Sequence, residues 1–194
     1  MIVFVFFCAC IARLFFLFLL LQVLLECLII GLQVVFTGFG VGAKRRKYFT
    51  KKFFEKNFPE LKGNIPKGGY PDCGSGPYSQ KLSLSEWEDF NNAQRSHLNF
   101  VEGAATALII FSVAGVFQPR LVAVCGAVYI VGRFLYSLGY TSAGPKGRVV
   151  GATLLNLGLL VAFGVGVYSA FNAGGGVAGV TTLIKQIVTL DLLV

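Results

Sequence analysis

Apolar residues are concentrated in a few long runs along this chain, and the longest of them covers residues 1–43. A helix of that length would be about 65 Å long, whereas about twenty helical residues cross a hydrocarbon core of about 30 Å. We therefore predict one membrane span near residues 20–42. Three polar positions in this span fall within about 40° of one another on a helix, which favours packing against neighbouring helices. They are Gln22, Glu26 and Gln33.

Three further apolar runs predict three more spans, at residues 98–117, 121–140 and 149–171. The Pro-Arg pair at 119–120 leaves room only for an antiparallel return between the second and third spans. A Gly-Pro-Lys-Gly segment at 144–147 interrupts the pattern again before the fourth span. Neither an alternating strand pattern nor an internal repeat stands out, so we predict an all-α bundle of four transmembrane helices rather than a barrel.

The two ends of the chain lie outside these spans. Residues 1–19 are surplus to the first span, and three interpretations are open: a cleaved signal-like segment, a helical extension, or an unused upstream start. A signal peptide needs a basic leader before its apolar core, and the only early charge is Arg13, which favours the helical extension. The tail, residues 172–194, ends in a short apolar stretch that we expect to lie on the membrane surface.

A long polar loop separates the first two spans. Residues 44–80 contain four of the six prolines and many lysines, which predicts a loop with one helical turn at residues 51–58. The second helix is expected to begin in water, because Ser85 and Glu88 fit a capping box. It would then enter the membrane near Leu98.

The composition is that of a membrane protein. Hydrophobic residues make up 55% and charged residues only 13% of the chain, its mean hydropathy is +0.72, and soluble domains carry roughly 25% charged residues. The net charge of +8 is uneven, because eleven of the seventeen Lys and Arg residues lie between Lys44 and Arg95. The positive-inside rule and anionic lipids explain basic residues beside a span, so we expect no nucleic-acid partner. The basic loop and the 146–148 turn are then cytoplasmic.

The cysteines and the single histidine do not form a metal site or a disulfide framework. Cys73 alone lies in a polar loop, whereas the other cysteines occupy apolar runs where they behave as small hydrophobes. These are Cys8, Cys10, Cys27 and Cys125. His97 has no second histidine at ligand spacing, and so no metal is expected.

Polar residues at helical spacing interrupt the start of the second span. Arg95, Asn99 and Glu102 lie at i, i+4 and i+7, which places a cation, an amide and a carboxylate on one helix face. Ionisable groups in a membrane helix cost roughly 2.5 to 3.5 kcal/mol on insertion scales, and they usually face a protein interior or a wet cavity. Two interpretations are open at this point, an internal salt bridge and a functional site.

A second polar stripe lies near the cytoplasmic end of the third span, where Arg133, Tyr136 and Tyr140 occupy i, i+3 and i+7. Arg45 follows the first span and Arg148 precedes the fourth, so four cations and two phenols are predicted to converge at one membrane level. Tyrosines and arginines are also common at the membrane interface for structural reasons. Two parallel stripes nevertheless favour a site.

The predicted site suits a small, acidic, flexible ligand at the edge of an apolar pocket. Arginines would bind carboxylates bidentately, Asn99 and Glu102 would take amides or an amine, and the tyrosines would direct hydroxyls into the cleft. Glutathione has this pattern of groups, with two carboxylates, one ammonium, two amides and a thiol.

Two motifs in these stripes resemble a known family. The segment R-S-H-L-N-F-V-E at 95–102 is similar to the R-A-x-x-N-x-x-E signature of the MAPEG family, the membrane-associated proteins in eicosanoid and glutathione metabolism. The segment G-R-F-L-Y-S-L-G-Y at 132–140 resembles the family's G-R-x-L-Y-x-x-G-Y, and residues 41–48 resemble its basic end to the first helix. The resemblance covers about residues 20–171, and it is strongest to the microsomal glutathione transferase type 3 branch.

The resemblance implies a homotrimer of four-helix subunits in the endoplasmic reticulum, with glutathione bound between subunits near the cytoplasmic face. Arg148 would activate the thiol, although its spacing from Tyr140 is one residue longer than in leukotriene C4 synthase. The thiolate would attack lipophilic electrophiles, including leukotriene-type substrates, or reduce lipid hydroperoxides, and Arg45 would reach glutathione from the neighbouring subunit. The residues implied to hold glutathione within one subunit are Arg95, Asn99, Glu102, Arg133, Tyr136 and Tyr140.

Two departures from the family pattern leave the substrate open. Gly103 stands where some relatives carry a tyrosine, and the loop from residue 49 to residue 80 is longer than usual. The expected function is glutathione transferase and peroxidase activity. The alternative is a non-catalytic lipid-binding scaffold similar to 5-lipoxygenase-activating protein, and retention of the whole ligand set argues against it. A tetraspan channel would need charges along a pore, and the fourth span has almost none.

Overall fold

The computed structural model describes the backbone of residues 2–191 and the side chains of Ile11 and of residues 13–185. Cys8 and Cys10 therefore lie outside the described side chains. Within the described residues the chain is helical, with short 3-10 turns and no strand. The helices are α1 (Ile2–Tyr48), α2 (Lys51–Asn57), α3 (Leu84–Phe117), α4 (Pro119–Gly147), α5 (Val149–Ala173) and α6 (Gly176–Asp191).

Four of these helices are long and apolar enough to cross a membrane, which confirms the predicted all-α membrane bundle. They correspond to Arg13–Tyr48 within α1 and to the whole of α3, α4 and α5. Each helix extends beyond the span predicted from hydropathy, because hydropathy marks only the apolar part of a helix and the backbone hydrogen bonds continue into the flanking residues. The basic residues of the first loop illustrate this, since Arg45 and Arg46 lie in the last turn of α1, where cations stabilise the carboxyl end of the helix.

The start of α3 lies two residues earlier than the predicted capping box. Ser83 is the N-cap residue, and its backbone N–H and its hydroxyl both donate to Glu86 Oε2, at 3.0 and 2.7 Å. The expected pair of Ser85 and Glu88 is therefore wrong. The sequence S-L-S-E-W-E offers the same Ser-x-x-Glu spacing twice, and only the first serine has the extended backbone that a cap requires.

The four long helices enclose one apolar core. Phe111 of α3 packs edge-on against Tyr129 of α4, with 5.3 Å between the centres of the two rings, and both side chains are fully buried. Helices α4 and α5 approach until their backbones touch, because a Cβ on Gly151 would lie 2.5 Å from Tyr136 Cα. This close contact determines how α5 is placed against the residues of the second polar stripe.

Residues 49–83 form a folded lobe rather than an open loop. Phe49 and Phe54 pack with Phe90 of α3 in a second apolar cluster. The Asp72 carboxylate accepts hydrogen bonds from the backbone N–H groups of Gly74, Gly76 and Ser79 and from the Ser79 hydroxyl.

These contacts fix the charge state of Asp72. Burial raises the pKa of the Asp72 carboxyl, but the hydrogen bonds outweigh burial and hold that pKa below its usual value. The carboxylate therefore contributes its stabilisation above a pH of about 4, and this contribution is lost as the pH falls through the lowered pKa. At neutral pH, an ionised Asp72 carboxylate therefore holds this part of the lobe together through its four hydrogen bonds.

Candidate functional site

The two predicted stripes meet in one polar pocket. Helix α3 contributes four side chains, α4 contributes two tyrosines, and the turn before α5 contributes an arginine. The cavity has a volume of about 130 Å³. Its lining residues are Arg95, Leu98, Asn99, Glu102, Tyr136, Tyr140 and Arg148.

Helical spacing explains this convergence. Asn99 and Glu102 follow Arg95 by one and two turns on α3, and Tyr136 and Tyr140 are one turn apart on α4. The two helices are joined by a hydrogen bond from the Ser96 hydroxyl to the Ser137 hydroxyl at 3.1 Å. The faces that carry the stripes are therefore held side by side.

Arg148 occupies the junction between α4 and α5. Its Nη1 donates to the Tyr136 hydroxyl at 3.2 Å, and its Cζ lies 5.5 Å from the centre of the Tyr140 ring. The hydrogen bond to Tyr136 raises the pKa of the Arg148 guanidinium, which stays charged. Gly144, at φ 65°, and Pro145 bend the end of α4, and the next turn brings Arg148 back over the two tyrosines.

The pocket continues into a larger cavity of about 510 Å³ between α3 and α5. Asn99, Glu102, Tyr136 and Arg148 line both cavities, so the polar pocket and this chamber are contiguous. The remaining walls of the chamber are mostly small or apolar. These walls are Gly103, Thr106, Arg133, Ala152, Leu155, Asn156 and Leu159.

The residues that line the chamber are charged at one end and apolar at the other. A charged end lies beside Arg148, and an apolar end lies beside Leu155 and Leu159. Asn156 is a lining residue that the sequence interpretation missed, although an amide in an otherwise apolar helix was an available signal. The two cavities together suit a polar ligand placed against a lipophilic one.

Arg133 lines the chamber but not the small pocket, and it is only 5% exposed. Its Nε donates to the Tyr129 hydroxyl at 2.9 Å, and its Nη1 donates to Asn99 Oδ1 at 2.9 Å. Its Cζ lies 4.6 Å from the centre of the Phe100 ring. The guanidinium is therefore engaged by protein groups on several sides.

Arg45 is not part of either cavity within one chain. It is 3% exposed, and its guanidinium donates to Gly68 O at 3.2 Å and to Gln94 Oε1 at 3.5 Å. The Cζ lies 4.0 Å from the centre of the Tyr70 ring. The position of Arg45 in the sequence did not reveal that the lobe folds over this side chain.

The structure does not support an internal salt bridge in the first stripe, which contains Arg95, Asn99 and Glu102. Among the ion pairs of the described residues, none involves Arg95 or Glu102. Both side chains are exposed and line the small pocket. With Arg148, the pocket holds two cations and one carboxylate, which favours an acidic ligand with one basic group.

In a comparison with protein-family models, residues 23–168 match the model described as the MAPEG family. The matched region is well over half of the chain. It includes α3 and α4 entirely, and it contains every residue of the small pocket.

Proposed function

This chain belongs to the MAPEG family, and we propose that it acts within that family as a membrane glutathione transferase with glutathione peroxidase activity. The family contains glutathione transferases as well as non-catalytic members such as 5-lipoxygenase-activating protein, and its members bind glutathione and lipids in the membrane. The observation that carries the proposal is the convergence of six polar side chains on a single pocket. Those groups belong to Arg95, Asn99, Glu102, Tyr136, Tyr140 and Arg148.

Glutathione and the pocket match group by group. Arg95 would pair with a carboxylate, and Glu102 would take the ammonium group of the γ-glutamyl end. The hydroxyls of Tyr136 and Tyr140 are available to the peptide amides and the thiol. Arg148 lies at the opening towards the apolar chamber, where the thiol must be placed to meet a lipophilic substrate.

The chemistry requires only a stabilised thiolate. In conjugation, the sulfur forms a bond to an electrophilic carbon, and the electron pair of the broken bond leaves with a halide or an epoxide oxygen. In peroxide reduction, one glutathione thiolate attacks an oxygen of the hydroperoxide, and a second glutathione completes the disulfide, with an alcohol and water as the other products. Arg148 would stabilise the sulfur anion in both reactions.

The lipophilic substrate class follows from the chamber. A lipid electrophile, including one of leukotriene type, or a lipid hydroperoxide would lie along Leu155 and Leu159 with its reactive atom towards Arg148. The site would open towards the cytoplasm from the endoplasmic reticulum membrane, because the basic lobe and the turn at Arg148 lie at the same end of the bundle as the pocket. In the proposed homotrimer, a neighbouring subunit would cover the exposed face of α3.

Turnover by the purified, detergent-solubilised protein tests the proposal. We expect the protein to conjugate glutathione to 1-chloro-2,4-dinitrobenzene or to reduce a lipid hydroperoxide faster than the uncatalysed reaction. Arg95→Ala should raise the KM for glutathione about tenfold, because one charge-assisted carboxylate contact is worth about 1.4 kcal/mol or more. Arg120→Ala is the matched control, since Arg120 is exposed and lies outside both cavities.

The scaffold alternative makes a different prediction for the same preparation. A scaffold would bind a lipid probe and turn over neither substrate. An unchanged KM in Arg95→Ala, with activity present, would remove Arg95 from the glutathione site. Equal losses in Arg95→Ala and Arg120→Ala would point to a general effect of arginine removal.

A further inference from the structure

The absence of a side chain at Gly103 creates the space that Arg133 occupies. Gly103 is one turn beyond Asn99 on α3, and a Cβ built on it would lie 2.7 Å from Arg133 Nη2. Such a contact is too short to persist, so any side chain at this position would push the guanidinium aside. The guanidinium is the far end of a flexible side chain, and therefore α3 itself would not have to move.

Arg133 fixes which way the Asn99 amide faces. A guanidinium has donors and no acceptors, so the atom that receives its hydrogen bond at 2.9 Å must be the amide oxygen, Oδ1. The Asn99 amide nitrogen is then turned away from Arg133. Asn99 lines both cavities, and among the described residues no protein acceptor is found for this nitrogen.

We infer that Arg133 is a positioning residue that aims the NH2 group of Asn99 at glutathione, and that Gly103 is required for this arrangement. The inference rests on the proposed function and sharpens it. Asn99 would act as a donor, so its partner in the ligand is a carbonyl or carboxylate oxygen and not the ammonium group. Two further contacts hold the guanidinium in place. Arg133 Nε donates to the Tyr129 hydroxyl at 2.9 Å, and Arg133 Cζ lies 4.6 Å from the centre of the Phe100 ring.

Gly103→Ala in the intact, detergent-solubilised protein separates this role from a role in folding. Alanine is the better helix former by about 1 kcal/mol, which offsets part of the cost of the contacts that the displaced guanidinium loses, so the melting temperature should fall only slightly. The Kd for glutathione, measured by calorimetry, should rise about tenfold, because the ligand loses one hydrogen bond to the Asn99 amide. Gly31→Ala is the matched control, because a Cβ there would meet nothing within 4 Å. Unchanged glutathione affinity in Gly103→Ala would overturn the inference.

A double-mutant cycle asks whether Arg133 acts through Asn99 or touches the ligand itself. We expect Arg133→Gln to weaken glutathione binding about tenfold in the native background and less than about twofold in an Asn99→Ala background. Losses that multiply in the double variant would instead make Arg133 a direct ligand contact, and the positioning role would be rejected.

A ligand-free measurement keeps this inference distinct from the proposed function. In protein labelled with 15N-asparagine, the side-chain NH2 signal of Asn99 is the one lost in Asn99→Asp. Gly103→Ala and Arg133→Gln should both shift that signal, and Gly31→Ala should not. If the native protein bound no glutathione, the proposed function would fail. The arrangement of Arg133 and Asn99 would be supported by the shifts alone and refuted by their absence.

Discussion

Replacing Arg148 by alanine should lower the conjugation rate at pH 7 about 10- to 30-fold while glutathione still binds. The guanidinium is charged, exposed at the junction of the two cavities, and held over the tyrosines by its hydrogen bond to Tyr136. It is the cation of the pocket nearest to the route from the apolar chamber. Its loss would leave the binding groups on α3 in place and remove the charge that stabilises the sulfur anion.

The size of the effect follows from the thiolate fraction. A thiol with a pKa of about 8.5 is about 3% ionised at pH 7, and a depression by two units, about 2.7 kcal/mol, makes about three quarters of it thiolate. One cation within about 4 to 6 Å of the sulfur supplies an effect of this size, because a close opposite charge lowers the pKa of an acid by about one to three units. The ratio of the two fractions is about 25, and the weaker intrinsic nucleophilicity of a low-pKa thiolate reduces the gain somewhat.

The pH dependence identifies this mechanism. The native rate should level off above a pH of about 7, whereas the Arg148→Ala rate should rise until about pH 8.5, so the deficit narrows in alkaline solution. Arg148→Lys should recover part of the rate because it restores a positive charge. Lys146→Ala, two residues away and exposed, is the control and should behave as the native protein. A rate deficit that is the same at pH 7 and pH 9 would contradict thiolate stabilisation by Arg148.

Gly151→Val should destabilise the bundle by about 3 kcal/mol and lower the yield of folded protein sharply. A Cβ at position 151 would overlap the backbone N of Tyr136. It would also lie 2.5 Å from the Cα of Tyr136 and 2.7 Å from the carbonyl oxygen of Gly132. These are backbone atoms of α4, so the clash is relieved only by moving the whole helix. Because Tyr136 lines both cavities, the displacement would also disturb the site.

The melting temperature of the purified protein and its elution by size-exclusion chromatography measure this effect. Gly164→Val in the same helix is the matched control, because a Cβ at Gly164 meets nothing within 4 Å. Both variants place a valine in α5, so any cost in helix propensity is the same for Gly164→Val and for Gly151→Val. Equal melting temperatures for the two variants would mean that the close α4–α5 contact does not limit stability.

Helical periodicity was sufficient to predict five of the six polar side chains that line the pocket, but not Arg148. Arg95, Asn99 and Glu102 share a face at helical spacing whatever the rest of the chain does, and the same holds for Tyr136 and Tyr140. The number of long apolar helices was equally accessible, because it depends on hydropathy over whole runs of residues. These features are local, and local rules determine them.

The features that the sequence did not predict depend on contacts between distant segments. Arg45 was placed among the ligand residues by its depth in the membrane, but its partners Gly68 and Tyr70 come from the lobe that folds over it. Gly103 was recognised only as a missing tyrosine, and its consequence depends on the direction in which Arg133 reaches from α4. Pairings of this kind arise from packing, for which the spacing of residues gives no signal.

The most direct test of the account is a calorimetric titration of the intact, detergent-solubilised protein with glutathione. The arrangement of Arg95, Glu102 and Arg148 around one pocket predicts saturable binding with a Kd between about 1 μM and 1 mM, or about −8 to −4 kcal/mol. Binding should weaken in Arg95→Ala and persist in Arg120→Ala. If the native protein bound no glutathione at millimolar concentration, the central claim that this pocket is a glutathione site would be contradicted.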